Sequence, residues 1–272
     1  MKILIITNEN TDGFIEDKWI AESFIGDGHE VKLVDKFYPE SFDNEFDVFI
    51  KRNCWNDNED DFIVGVDTDG FKKRLIQKKL PRINCDGKFD GKGKGYLADL
   101  YNKGYDVIPT VNNIIELDKL PKSKFYLLKP HNGLDGFGIK KVKKEEIKNL
   151  FTKDYVIQPL MEFVSEVQFY FVGNLFEYAL EYIPSKLPNW PTPHEYKYLK
   201  EQIELAQKFA NLSPNYNGVQ RIDFIKLKNE ELKLLEIEDS SPYLSLEDIS
   251  KAKREKFLKD YKKMVYNYIN NI

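Results

Sequence analysis

The stretch Val219-Gln220-Arg221-Ile222-Asp223-Phe224-Ile225-Lys226-Leu227, then Lys228-Asn229-Glu230-Glu231, then Leu232-Lys233-Leu234-Leu235-Glu236-Ile237-Glu238 reads as two strands around a polar turn. Successive side chains of a strand point to opposite faces. Arg221 and Asp223 therefore share a face opposite Ile222 and Phe224, and Glu236 shares a face with Glu238. The short turn makes the strands antiparallel neighbours, so the three carboxylates converge beside Arg221. Acids packed together repel and raise one another's pKa. A divalent cation relieves that repulsion, and oxygen-only ligands suit Mg²⁺, which keeps waters and phosphate oxygens in its shell. The pattern alone leaves a second reading open, an ion-paired solvent face on an edge hairpin.

Working outward, residues 2–8 (Lys-Ile-Leu-Ile-Ile-Thr-Asn) predict a buried first strand. A helix follows near 16–27, stopped by Gly26-Asp27-Gly28. Strands follow at 30–35 and 46–51, and the order strand, helix, strand points to a parallel α/β layer. Residues 68–80 read as a helix, 82–84 as a short strand, 96–103 as a helix and 107–108 as a strand. A strong strand, 125–130, ends at Pro130, and 139–142 is another. Residues 155–183 alternate in strand fashion with a turn at Gly173-Asn174, and 195–210 fits a helix. The tail, 247–271, spaces Phe257, Tyr261, Met264, Val265, Tyr268 and Ile269 as the packing stripe of an amphipathic helix.

Composition narrows the class. The 272 residues include 19 Phe and 16 Tyr, too apolar for a disordered chain. No apolar run reaches the ~18 residues of a membrane span, and the start lacks a small-residue cleavage site. Two cysteines, Cys54 and Cys85, make no disulfide framework. A cytoplasmic protein that engages no membrane is expected. Residues 1–70 hold 6 basic and 18 acidic side chains, net −12, whereas 71–103 hold 10 basic and 3 acidic, net +7. Positive charge confined to one short stretch suits a small polyanion such as a nucleotide better than a nucleic-acid duplex.

Between two of the strands lies His131-Asn132-Gly133-Leu134-Asp135-Gly136-Phe137-Gly138. Glycines let backbone N–H groups approach an anion in a concave nest, and His131 stands at its entrance. The loop is neither a Walker A nor a Rossmann motif; an ordinary hairpin loop fits the pattern equally. Lys129, just before it, is placed either to reach a phosphate or to end its strand in water. Arg52 ends a strand on the side where α/β sheets bind ligands, so it is a candidate for a substrate carboxylate.

Strand-Lys129-Pro130-glycine loop, then Val156-Ile157-Gln158-Pro159-Leu160, then Ser165-Glu166, then Arg221-x-Asp223 and Glu236-x-Glu238, in this order, resemble the ATP-grasp superfamily of carboxylate–amine ligases. The N-terminal part adds Arg52-Asn53-Cys54-Trp55, Ile83-Asn84, Gly93-Lys94-Gly95-Tyr96-Leu97 and Val107-Ile108-Pro109-Thr110. These are similar to a bacterial branch that includes the D-cycloserine-forming ligase and lies near glutathione-synthetase-like and ribosomal-protein-modifying ligases.

The resemblance implies an α/β ATP-grasp fold. An N-terminal parallel α/β domain, 1–85, would precede two α+β subdomains clasping the nucleotide, 86–157 with the glycine-rich loop and 158–272 with the metal site. It implies that Lys94 and Lys129 hold phosphates and that the loop with His131, Asn132, Gly133 and Gly136 closes over them. Gln158, Pro159, Leu160 and Met161 would bind adenine, and Glu166 the ribose. Asp223, Glu236 and Glu238 would bind Mg²⁺, two ions in all, with Mn²⁺ as a substitute. Arg221 would steady the transferred phosphoryl. Two departures stand out: many members carry Asn where this chain has Glu238, and Asn53-Cys54 replaces Ser-Thr after Arg52. The implied activity is ATP-dependent, ADP-forming amide or peptide synthesis through an acyl phosphate, by a monomer or homodimer. Its partners would be a small-molecule acid and an amine, peptides included. A non-catalytic nucleotide-binding module and a small-molecule kinase on the same scaffold are the alternatives.

Overall fold

The structure is a computed structural model that describes all residues except 36–39, 54–67, 90–92, 134–135, 185–191, 215 and 272. Its first sheet is parallel. Strand β1 (Lys2–Thr7) pairs with β2 (Glu30–Asp35) on one side and β3 (Val48–Lys51) on the other, and β4 (Arg82–Ile83) closes the order β2-β1-β3-β4. Ile3, Leu4, Ile5 and Ile6 are all buried, as a central strand covered on both faces requires. Helix α1 (Phe14–Ile25) and helix α2 (Thr68–Gln77) belong to this layer.

A three-stranded antiparallel sheet follows helix α3 (Tyr96–Asn102), with β5 (Tyr126–Pro130) between β6 (Lys140–Val142) and β7 (Tyr155–Pro159). Helix α4 (Lys144–Leu150) was not foreseen; it buries only Ile147, so no periodic stripe marks it. The expected strand at 107–108 is reduced to a single bridge, Val107 to Leu234.

The third sheet runs β10-β9-β8-β11-β12, from β8 (Ser165–Val172), β9 (Leu175–Tyr182), β10 (His194–Glu195), β11 (Val219–Lys226) and β12 (Leu232–Glu238), all antiparallel. Helix α5 (Lys200–Ala210) covers one face, packing Phe209 and Ala206 on Val167, Phe169, Phe171, Ile222 and Phe224. On the other face, helix α6 (Lys251–Asn270) buries Phe257, Tyr261 and Val265 against Tyr170, Tyr178 and Leu180, together with Ile3, Ile5 and Ile50 of the first sheet. The C-terminal helix thus joins two sheets through one apolar core.

Phe257 is fully buried and lies edge-on to Tyr178 at 5.9 Å. Phe257→Ala is expected to cost about 3–5 kcal/mol, the usual range for emptying a buried aromatic site. Urea denaturation measures it; a loss below about 1 kcal/mol would place that core elsewhere.

Candidate functional site

The face of the third sheet that meets α6 is apolar at one end and charged at the other. Register puts Arg221 opposite Tyr170 and Asp223 opposite Gln168 on β8, and opposite Glu238 and Glu236 on β12. Glu166 lies two residues before Gln168 and so shares this face. The sequence-derived hairpin is therefore the observed one, with a register shift that leaves Leu235 of β12 as an extra residue opposite the step from Asp223 to Phe224.

The three acids converge, but on protein cations. Arg221 lies 2.9 Å from Asp223 and also pairs with Glu238. Lys94, from the turn before α3, lies 2.9 Å from Glu236. Its ammonium also donates to the carbonyl of Gly133 at 2.9 Å, and its backbone N–H donates to His131 O at 2.9 Å. Gly93 makes this possible: its φ is +73°, and a Cβ there would meet Asn132 Oδ1 at 2.7 Å. Burial lifts the Asp223 carboxyl above its ordinary range and outweighs Arg221. Burial likewise lifts Glu166, with Asp223 adding and Lys129 opposing. Burial holds the Lys129 ammonium below its ordinary range, against the pull of Glu236 and Glu166. Burial also works against charge on Arg221, but Asp223 and Glu238 hold it well above the usual range.

Lys94, Lys129, Glu166, Arg221, Asp223, Glu236 and Glu238 therefore form one electrostatic unit at the junction of the second and third sheets. The donor set suits Mg²⁺: its acids are oxygen ligands on adjacent strands, and each carries a cation here. Among the described residues no three His, Cys, Asp or Glu side chains cluster as a ready-made metal site, and these acids pair with Arg221 and Lys94 instead.

Gln158 departs from the expected adenine contact. Its side chain is buried and donates to Thr110 Oγ1 at 2.9 Å, so it braces the junction between sheets. Pro159 ends β7, and Leu160 is 38% exposed with its N–H on Phe125 O at 2.9 Å, leaving the segment through Met161 on the rim. His131 is partly buried with its ring against Gly95, while Asn132 and Gly136 are exposed.

The expectation for Arg52 needs correcting. This arginine is fully buried rather than open to a substrate: its Nε donates to Asp17 at 2.9 Å, its Nη1 to Pro242 O at 3.0 Å, and Glu16 lies 3.6 Å away. Glu16 in turn accepts the N–H groups of Leu244 and Leu246 at 2.9 and 2.8 Å. Glu16 and Asp17, in the first turn of α1, are both buried, and nothing local in the sequence marks them so. Asp239 was also missed. It is buried beside Glu238 and accepts the Lys88 N–H at 2.6 Å, tying the 86–89 connection to the end of β12. The tyrosine hydroxyl of Tyr96 does the same for Ile237, accepting its N–H at 2.7 Å. Cys54 and the acids at 57–61 lie outside the described residues.

No family model matches the sequence, and no curated protein sequence matches it. Solved structures do. D-cycloserine synthetase DcsG is 15% identical and superposes with a TM-score of 0.66, over 96% of this chain and 100% of that one. D-alanine–D-alanine ligase from Bacillus anthracis, complexed with ATP, gives 14%, 0.65, and 100% and 98%. The ATP-grasp ligase PsnB, complexed with minimal precursor, Mg and ADP, gives 12%, 0.64, and 97% of each chain. The fold is ATP-grasp, shared from end to end with proteins of that class.

Burial, more than Arg52 and the two N–H donors can offset, pushes Glu16 up to about 7. A carboxyl raised in this way binds its proton more tightly folded than unfolded. Its stabilising contribution is complete below about 4.5 and is lost as pH rises towards about 7. Glu16→Gln is expected to flatten the dependence of thermal stability on pH across that window. An unchanged slope would show that Glu16 does not titrate there.

Proposed function

We propose that the protein is an ATP-dependent carboxylate–amine ligase that forms an amide or peptide bond through an acyl phosphate. The observation that carries this reading is the convergence of Lys94, Lys129, Glu166, Arg221, Asp223, Glu236 and Glu238 at one junction between the second and third sheets of an ATP-grasp fold. Lys129 and Lys94 would bind the polyphosphate and Glu166 the ribose hydroxyls. The rim from Pro159 to Met161 would carry the base, with Gln158 bracing it from behind. Asp223, Glu236 and Glu238 would hold Mg²⁺, which when bound supplies neutralisation of the triphosphate charge. The cytoplasm remains the expected location.

A substrate carboxylate oxygen attacks the γ-phosphorus in line, the bond to the β-phosphate oxygen breaks, and ADP leaves. The amine lone pair then attacks the acyl carbon, the carbon–phosphate oxygen bond breaks, and the amine's proton passes to the departing phosphate or to water. Arg221, held charged by two carboxylates, would stabilise negative charge developing in both steps. The loop around Gly133 and Gly136 would exclude water from the acyl phosphate. The class of substrate is a small amino-acid-like molecule or a peptide. Two structural neighbours support peptides: PsnB was solved with precursor peptide PsnA2, and the macrocyclase MdnC with precursor peptide MdnA.

Phosphate release from MgATP, measured across amino acids and short peptides, tests the proposal. Asp223→Asn and Glu236→Gln are each expected to lower turnover by about 10²–10³-fold, the scale of losing one transition-state contact, with an unchanged circular dichroism spectrum. Full turnover in both variants would contradict the assignment of the site.

A further inference from the structure

Lys94 makes two bonds across this junction, both at places the proposed magnesium nucleotide would need. Its Nζ lies 2.9 Å from Glu236 Oε1 and 2.9 Å from the Gly133 carbonyl. An ammonium has three N–H donors, so two are spent, one on β12 and one on the glycine loop. The backbone adds to the clasp, because the Lys94 N–H donates to His131 O at 2.9 Å. Three separate pieces of chain are held by one residue: the turn at 93–95, the loop at 131–133 and the end of β12.

We infer that Lys94 is a latch, which closes Glu236 to a divalent cation and pins the loop through Gly133 until metal and polyphosphate arrive together. This rests on the nucleotide-binding reading above and adds the regulation of that site. A divalent cation on Glu236 and an ammonium bonded to the same carboxylate repel each other. A polyphosphate draws the ammonium away by offering it other oxygens. The Gly133 carbonyl, turned toward Lys94, is an acceptor and repels phosphate oxygens, so the loop must turn over to present N–H groups. Each ligand removes the obstacle to the other, and by linkage the coupling is reciprocal.

The test is Mn²⁺ binding to the full chain, followed by electron paramagnetic resonance with no nucleotide present. Lys94→Met is expected to bind Mn²⁺ about tenfold more tightly than wild type, within the usual span of site-to-site coupling. Lys129→Met removes an equal charge that bears on Glu236 without breaking its hydrogen bond, and it is expected to gain less. Lys94→Gln repeats the comparison should the methionine variant fold poorly. Hydrogen exchange gives an independent readout: the amides at 131–133 are expected to exchange faster in the Lys94 variants. Adding ADP is expected to tighten Mn²⁺ binding by a larger factor in wild type than in those variants. Unchanged Mn²⁺ affinity in both Lys94 variants, or a gain no larger than that of Lys129→Met, overturns the latch. Failure of the wild type to bind ADP at any Mn²⁺ concentration overturns the ligase reading instead, and the metal-alone comparison still decides the latch.

Discussion

Four carboxylates on one face of a sheet need compensating positive charge, and most of the site follows from how this protein supplies it. Glu166, Asp223, Glu236 and Glu238 stand on adjacent strands, with Lys94, Lys129 and Arg221 among them. Removing one partner from a buried ion pair typically costs about 3–5 kcal/mol, because the remaining charge is stranded. The cations therefore hold the acids in register as much as they neutralise them. In the proposed reading the same seven groups would exchange protein partners for phosphate and metal in place, which would separate this network from a purely structural one such as Arg52 with Glu16 and Asp17.

The apolar framework decides where that charge can lie. Phe169, Phe171, Ile222 and Phe224 fill the face under α5, while Tyr170, Tyr178 and Leu180 fill the α6 end of the opposite face. The remaining end of that second face, toward β5 and β7, carries the charged side chains of the site. Three connections then bring the rest of the chain to it. Asp239 ties down the backbone at 88 and 89, Tyr96 holds the N–H of Ile237, and Asn84 Oδ1 accepts the N–H of Val219 at 3.0 Å. These polar junctions tie the segment 84–96 to strands β11 and β12 of the third sheet.

Periodicity made much of this legible. The alternation in 219–227 and 232–238 gave the pairing and the shared face, and the tail stripe gave the buried side of α6. What stayed hidden depends on contacts between distant residues. Lys94 and Glu236 are far apart in the chain, and nothing near either one shows that they meet. The resemblance implies that Gln158 lines the adenine site, yet its amide turns inward to Thr110. Arg52 sits at a strand end suited to ligands, but two acids on α1 reach it first. Helix α4 is too short, with a single buried side chain, to leave a periodic trace.

A crystal structure of the protein grown with a non-hydrolysable ATP analogue and Mg²⁺ would locate the nucleotide. The polyphosphate is expected beside Lys129, with metal on Asp223 and Glu236 and the Lys94 ammonium moved from Glu236 to a phosphate oxygen. A nucleotide seated on another surface, with the ion pairs of Lys94 and Arg221 unchanged, would contradict that placement.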